Sequence, residues 1–196
     1  DFHTPEHIKD AAKKAIDDNW TTYSPVAGYP ALRQAICNKL LKENGLEYKT
    51  SEIVVSNGAK QAITDAVMAL VNPGDEVVIP TPCWVSYIQM TKIAGGVPVT
   101  VLAPIQQDFK VTPQQLEKAI TPKTKLIMLC SPSNPTGSIY TSALFSVSSI
   151  LSISLNEMSS PSRCHCLLVS CIIHSPIIFF RNRTVPSIPP SFVQLY

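Results

Sequence analysis

Three short segments contain residue types that could bind a small anionic or planar ligand, and each directly follows a run of apolar residues. Residues 56–60 read Ser-Asn-Gly-Ala-Lys, residues 80–87 place Trp84 after two prolines, and residues 131–137 place Asn134 between two prolines. In open α/β sheets, ligands bind at the carboxyl ends of the strands. If the apolar runs are parallel strands, all three segments lie at one edge of the sheet, where a binding site is expected.

The first segment offers backbone groups rather than side chains. A glycine at the junction of a strand and a helix, here Gly58, leaves N–H groups and the positive end of the helix dipole available to an anion. A glycine in such a junction is also ordinary turn chemistry. A phosphate site and a plain turn therefore both remain open for residues 56–60.

The second and third segments offer one aromatic face and one amide. Trp84 has a broad face that can stack on a planar ring, although Trp84 and Tyr87 can equally be core aromatic residues. The rigid prolines around Asn134 suit a single directed hydrogen bond, although the same residues are typical of a simple proline and glycine turn.

Elements that could position these segments follow from periodicity and capping signals. Thr4 as a hydroxyl cap and Pro5 at the first helical position predict a helix that ends near Asn19. Apolar residues at helical spacing predict a second helix over residues 30–44, which Gly45 terminates. A capping box with a first-turn proline, residues 112–115, predicts a further short helix.

From residue 52 onward, short apolar runs alternate with helical stretches. Strands are predicted over residues 53–56, 76–80, 97–102 and 125–130. This alternation is the signature of βαβ units and of a buried, largely parallel sheet. The fold class predicted from the residues alone is therefore α/β.

Four motifs in order resemble the class I/II aminotransferases, which use pyridoxal 5'-phosphate (PLP). They are residues 23–33, 56–61, 82–87 and 131–137. Within that family the sequence is most similar to bacterial-type aspartate aminotransferases and to prephenate aminotransferases, over residues 1 to about 141. The resemblance implies part of the large domain of a fold-type I PLP-dependent transferase, a mostly parallel sheet with helices on both faces.

The resemblance also implies roles for individual residues. The backbone N–H groups of Gly58, Ala59 and Lys60 would bind the cofactor phosphate, Trp84 would stack on the pyridine ring, and Asn134 would donate a hydrogen bond to the phenolic oxygen of the ring. These five residues position a cofactor. None of them is expected to be catalytic, and no metal site is expected.

Partners are implied in the same way. Intact relatives transfer an amino group between an amino acid, with aspartate or glutamate expected, and a 2-oxo acid. They form homodimers in which Tyr23 would reach the phosphate of the neighbouring subunit. The lysine that forms the Schiff base and the aspartate that pairs with the pyridine nitrogen have no counterpart, since residues 142–196 contain neither lysine nor aspartate. We therefore expect a truncated aminotransferase that is inactive alone. The alternatives are a non-catalytic fragment that pairs with an intact subunit and a fragment of another PLP enzyme, a lyase or decarboxylase.

Composition divides the chain near Thr141. Residues 142–196 contain 13 Ser but no Gly, Lys or Asp. This Ser-rich apolar tail is predicted not to be a family domain, and its composition is typical of translated non-coding or frame-shifted sequence. The alternatives are a divergent tail and a membrane-associated segment.

Charge and cysteine usage narrow the class of protein. A net charge of +2 argues against binding to nucleic acid or to a membrane surface. The six cysteines are expected to be free thiols, and the grouping of Cys164, Cys166, Cys171 and His174 lacks the paired spacing of zinc modules. A cytoplasmic location is expected, with a plastid as the alternative because a preceding targeting segment would not be seen.

Overall fold

A computed structural model describes residues 2–140, 165–172, 175–181 and 192–195. Five α-helices lie in these residues: α1 (Glu6–Asp17), α2 (Pro30–Asn44), α3 (Gly58–Leu70), α4 (Ser86–Ile93) and α5 (Pro113–Ala119). The strands described are β1 (Ile53–Ser56), β2 (Glu76–Thr81), β3 (Val97–Leu102), β4 (Thr124–Ser131), β5 (His165–Ile172), β6 (Ser175–Arg181) and β7 (Phe192–Leu195). Short 3₁₀ turns lie at Thr50–Glu52 and Ile105–Gln107.

The strands form one sheet in the order β1-β7-β6-β5-β4-β2-β3. Every neighbouring pair is parallel except the two pairs that contain β6. Strands β1, β2 and β4 consequently run in the same direction, and their carboxyl ends lie at the same edge. The predicted fold class is confirmed, and so is the predicted position of the three candidate segments at one sheet edge.

The core lies on both faces of the sheet because alternate residues of a strand point to opposite faces. On β2, Val77 and Ile79 pack with α3 and α4, while Val78 packs with Leu116 of α5. On β4, Leu126 and Met128 join the first cluster, and Ile127 and Leu129 join the second. Helices therefore cover both faces, and strands buried on both sides explain the nearly continuous apolar sequence.

Most predicted boundaries agree with the structure. Helix α2 and strands β1 and β3 have the predicted limits, β2 extends one residue further at its carboxyl end, and β4 extends one residue further at each end. The predicted capping box of α5 is present: the Thr112 N–H donates to Gln115 Oε1 at 2.8 Å, and the Gln115 N–H donates to Thr112 Oγ1 at 3.3 Å. This cap fixes the first turn of α5.

The start and end of α1 differ from prediction. Pro5 is the N-cap rather than the first helical residue, because its ψ of 143° is extended, and no side-chain cap bond is formed. The helix ends at Asp17, two residues before the predicted end near Asn19. The hydroxyl of Thr4 therefore does not cap α1.

The Ser-rich tail contributes three strands that the sequence did not predict. Strands β5, β6 and β7 lie between β1 and β4 in the sheet. The division of the chain near Thr141 into a family region and a separate tail stays a prediction. The side chains of the Cys164 to His174 grouping lie outside the described residues.

Two chemical expectations can be compared with the described part of the chain. Cys37, Cys83 and Cys130 are free thiols, as predicted. None of the helices in the described ranges has both the length and the apolar character needed to cross a membrane.

Candidate functional site

The turn between β1 and α3 presents unpaired backbone donors. Asn57 alone separates the end of β1 from Gly58, whose φ of +83° lies in the left-handed region that favours glycine. The Asn57 N–H donates to Gln61 Oε1 at 2.7 Å, and the Asn57 side chain forms no cap bond. The first N–H groups of an α-helix have no acceptor within the helix. The N–H groups of Gly58, Ala59 and Lys60 are therefore available to an anion.

Trp84 lies at the carboxyl edge of β2, immediately before α4. It is half-buried and contacts Tyr87 edge-on, with ring centroids 5.5 Å apart and an interplanar angle of 86°. Tyr87 is a buried member of the α3/α4 cluster, and its N–H donates to the Trp84 carbonyl at 3.0 Å. Tyr87 is thus a core residue that orients Trp84, whereas part of the Trp84 ring remains accessible.

The first two segments meet through one side chain. Lys60 Nζ lies 5.3 Å from the centroid of the Trp84 ring, a cation–π contact. Strands β1 and β2 are not neighbours in the sheet, so the contact depends on α3 crossing the sheet to pack beside α4. The helix start, an ammonium group and a flat aromatic ring therefore converge. This donor set fits a planar ligand that carries a phosphate.

The third segment forms a closed loop after β4. The Ser133 N–H donates to the Ser138 carbonyl at 2.9 Å, and the Gly137 N–H donates to the Ser133 carbonyl at 2.8 Å. Asn134, at the tip of this loop, is exposed. Within the described residues its amide forms no hydrogen bond, so it can donate to a ligand.

A cavity of about 20 Å³ separates the second and third segments, which is room for about one water molecule. Cys83, Cys130, Ser133 and Tyr140 are among its lining residues. Burial, and secondarily the neighbouring Cys130, raise the pKa of the Cys83 thiol. A raised thiol pKa disfavours the nucleophilic thiolate, so Cys83 fits a packing residue of this cavity.

Tyr23 lies apart from the other predicted site residues. It is fully exposed, as is Val26, in the segment that joins α1 to α2. The resemblance implies a role for Tyr23 in the site of a neighbouring subunit. Because the structure contains a single chain, that role stays a prediction.

Two residues that support the site were missed at the sequence level. Gln61 accepts the Asn57 N–H at the turn before α3, and Tyr140 accepts the Val111 N–H beneath the third loop. The four-residue spacing of Asn57 and Gln61 could have indicated the first. Nothing in the sequence around Tyr140 indicates the second, because its partner lies 29 residues away.

Comparisons with known proteins identify the family of the chain. The family model "Aminotransferase class I and II" matches residues 1–145. The chain belongs to the class I and II aminotransferases. Membership in this aminotransferase family implies PLP as the cofactor.

Individual aminotransferases are similar over the same region. The aspartate/prephenate aminotransferase of Cereibacter sphaeroides is 54% identical over 143 residues, which are 73% of this chain and 36% of that protein. A bifunctional aspartate and glutamate/aspartate-prephenate aminotransferase of Petunia hybrida is 51% identical over 140 residues, 71% of this chain and 29% of that protein. The chain therefore spans about a third of the length of these curated relatives.

Solved aminotransferase structures have the same fold. The aspartate aminotransferase of Rhizobium meliloti superposes with a TM-score of 0.76 at 42% identity, covering 87% of this chain and 40% of that one. The aspartate aminotransferase of Thermus thermophilus with maleate gives 0.76 at 39% identity, covering 87% and 42%. The fold similarity thus extends beyond the residues that the family model matches.

Proposed function

We propose that residues 1–141 form the cofactor-binding part of an aminotransferase that uses aspartate or glutamate as amino donor and a 2-oxo acid as acceptor. The convergence of the α3 start, Lys60 and Trp84 supports the proposal most strongly. The two curated relatives above, named for aspartate and prephenate transamination, support the substrate class.

Each residue of the site performs a distinct task. The N–H groups of Gly58, Ala59 and Lys60 bind the phosphate, and the α3 dipole adds to the attraction. Trp84 stacks on one face of the pyridine ring, and Asn134 donates to the ring oxygen. Bound PLP supplies the electron sink that amino transfer requires. The chain thus binds and orients the cofactor.

The proton transfer of the reaction needs a group that these residues do not provide. The one lysine among these residues, Lys60, extends its amine over Trp84 from the helix that binds the phosphate. It is therefore poorly placed to reach a reacting carbon at the far side of the ring. We propose that this 196-residue chain, taken alone, binds PLP weakly and has no transaminase activity.

A homodimer is the proposed assembly. Large apolar side chains before α2 are exposed, among them Ile16, Trp20, Tyr23 and Val26. An exposed apolar surface of this kind is typical of an interface. In the proposed dimer this segment packs against the partner subunit, and Tyr23 reaches the phosphate site of that subunit.

Tryptophan fluorescence tests the binding site directly, because the chain contains only Trp20 and Trp84. PLP titration should quench the emission of the Trp20→Phe variant, in which Trp84 is the sole tryptophan. The matched Trp84→Phe variant, which retains Trp20, should show weaker quenching when both variants are measured at concentrations low enough to dissociate the proposed dimer. Equal quenching of the two variants would refute the proposed stacking.

A chemical experiment tests the proposed inactivity. Borohydride reduction of the chain with PLP, followed by peptide mapping, should label several surface lysines at low occupancy. An amino-transfer assay with aspartate or glutamate should show no turnover above that of Trp84→Ala. A single stoichiometric pyridoxyl-lysine with turnover would contradict the proposal.

A further inference from the structure

The loop that carries Asn134 is tied to a separate segment, residues 104–111. Ser138 Oγ donates to the Asp108 carbonyl at 2.7 Å. Two residues later, Tyr140 Oη accepts the Val111 N–H at 3.0 Å. Both contacts join residues about 30 positions apart in the chain. They therefore attach the third loop to a segment that is distant from it in sequence and is not a neighbour of β4 in the sheet.

Tyr140 links this segment to the end of β4 as well. Its N–H donates to Ser131 Oγ at 3.1 Å, and its ring packs in the cluster that contains Leu129 and Val111. Val111 is buried, so its N–H would lose its acceptor inside the protein if the tyrosine hydroxyl were removed. Burial raises the pKa of the Tyr140 hydroxyl.

The segment that receives these contacts is itself conformationally constrained. Asp108 and Phe109 have φ values of +53° and +54°, a region that non-glycine residues seldom occupy. Such backbone persists where the surroundings over-determine it. Here the Asp108 N–H donates to the Ile105 carbonyl at 2.9 Å, while the Asp108 carbonyl accepts from Ser138. Residues 104–111 therefore form a fixed support beneath the loop.

Asn134 has no such support of its own. It is exposed, and within the described residues its amide forms no hydrogen bond. The direction of its side chain depends on the loop backbone, which is closed by the Ser133–Ser138 bond and held by what Ser138 and Tyr140 contact. A shift of about 1 Å in a directed donor is enough to weaken a ligand hydrogen bond severely.

We propose that Tyr140 and Ser138 are positioning residues that hold the Asn134 amide toward the cofactor ring through their hydrogen bonds to residues 108–111. The proposal rests on the proposed function, since it needs a ligand at Asn134. It adds two residues that touch no ligand yet set the affinity for one. Both act through Asn134, which makes their effects conditional on that side chain.

Hydrogen exchange of the ligand-free 196-residue chain tests the first step. The amides of Ser133 and Gly137 should exchange about tenfold faster in Tyr140→Phe and in Ser138→Ala, since each loses one hydrogen bond. Ser138→Thr, which keeps the hydroxyl, should restore slow exchange. The matched control is Tyr48→Phe, a tyrosine in the separate α2/β1 cluster. Unchanged exchange in Ser138→Ala, a variant that leaves the core intact, would overturn the proposal even if Tyr140→Phe does not fold.

PLP affinity, measured by Trp84 quenching, tests the second step. Tyr140→Phe and Ser138→Ala should each weaken binding about threefold to tenfold, and neither should weaken it further when combined with Asn134→Ala. Equal losses with and without Asn134 would indicate a merely structural role and overturn the positioning role. Wild-type affinity in both single variants would overturn it while leaving the proposed function intact. Absence of any Trp84-dependent binding to the wild-type chain would overturn the proposed function, and the positioning role with it.

Discussion

Helices α1 and α3 each carry an apolar face at helical spacing, but the two faces lie in opposite environments. Helix α3 buries Ala62, Ile63, Ala66 and Val67 against the sheet, whereas α1 buries none of its residues. Both sequences repeat isoleucine and alanine at helical spacing, so periodicity identifies an apolar face in each. The difference is that the sheet covers the face of α3, while no described residue covers the face of α1. Position in the fold, rather than sequence pattern, makes the start of α3 a candidate binding site.

The largest effect should come from removing the buried face of α3. Ile63→Ala should lower the free energy of unfolding by about 2 to 5 kcal/mol, because it deletes a fully buried side chain. Ile16→Ala in α1, where the side chain is 66% exposed, should change it by less than about 0.5 kcal/mol. Urea denaturation of the two variants measures both values. Similar losses at protein concentrations low enough to dissociate the proposed dimer would mean that the α1 face is covered within the monomer.

Glycine substitutions should have a smaller effect on stability and should distinguish the start of α3 from an ordinary glycine turn. Gly58→Ala and Gly45→Ala both place an alanine at positive φ, with no neighbouring atom within 4 Å, so each should cost about 1 to 2 kcal/mol of stability. Only Gly58→Ala should also weaken PLP binding, since it disturbs the amides at the anion site. Equal affinity of the two variants would argue against a phosphate at α3.

The exposed face of α1 should govern assembly rather than stability. Ile16→Glu should shift the chain toward monomer in sedimentation velocity because it places a charge in the proposed interface. Its urea midpoint, extrapolated to low protein concentration, should stay near that of the wild type. Asp10→Glu, a conservative change in the same helix, serves as the control and should leave the assembly unchanged. A wild-type chain that is monomeric at high concentration would contradict the proposed dimer.

The free energy of unfolding should also depend slightly on pH, through Tyr48 in the cluster between α2 and β1. Burial, and secondarily Glu52, raise the pKa of Tyr48 to about 12. The folded state therefore keeps this proton at a pH where the unfolded chain, with a pKa of 10, releases it. The stability contribution is complete below pH 10 and is lost as pH rises toward 12. The unfolding free energy should fall less steeply over this range in Tyr48→Phe than in the wild type.

Local signals account for the elements that could be predicted. Gly45 ends α2 in the left-handed conformation, and the Thr112 and Gln115 pair starts α5, so both boundaries are written within four residues of sequence. The apolar runs of β2 and β4 are long enough to mark strands buried on both faces. The motifs also indicated that residues 56–60 and Trp84 belong to one site.

Long-range relationships could not be predicted. Strand order depends on pairings between distant residues, so the placement of β5, β6 and β7 between β1 and β4 has no local signal. The same holds for the contact of Lys60 with Trp84, which requires α3 to cross the sheet. Capping of α1 was mispredicted because the extended ψ of Pro5 prevailed over the hydroxyl of Thr4.

The strand order has a consequence for how the chain acquires its structure. Ile53 of β1 pairs with Phe192 of β7, so the first strand joins the sheet by pairing with the last strand. Ordering so long an intervening loop costs entropy before any pairing energy is gained, and such non-local pairings fold slowly. During synthesis, β1 can first pack only with the helices next to it in sequence: α3, and α2 through the small cluster of Ile36, Leu40 and Ile53. We therefore expect refolding to be biphasic: α2 docks onto β1 rapidly, and closure of the sheet at β7 sets the overall rate.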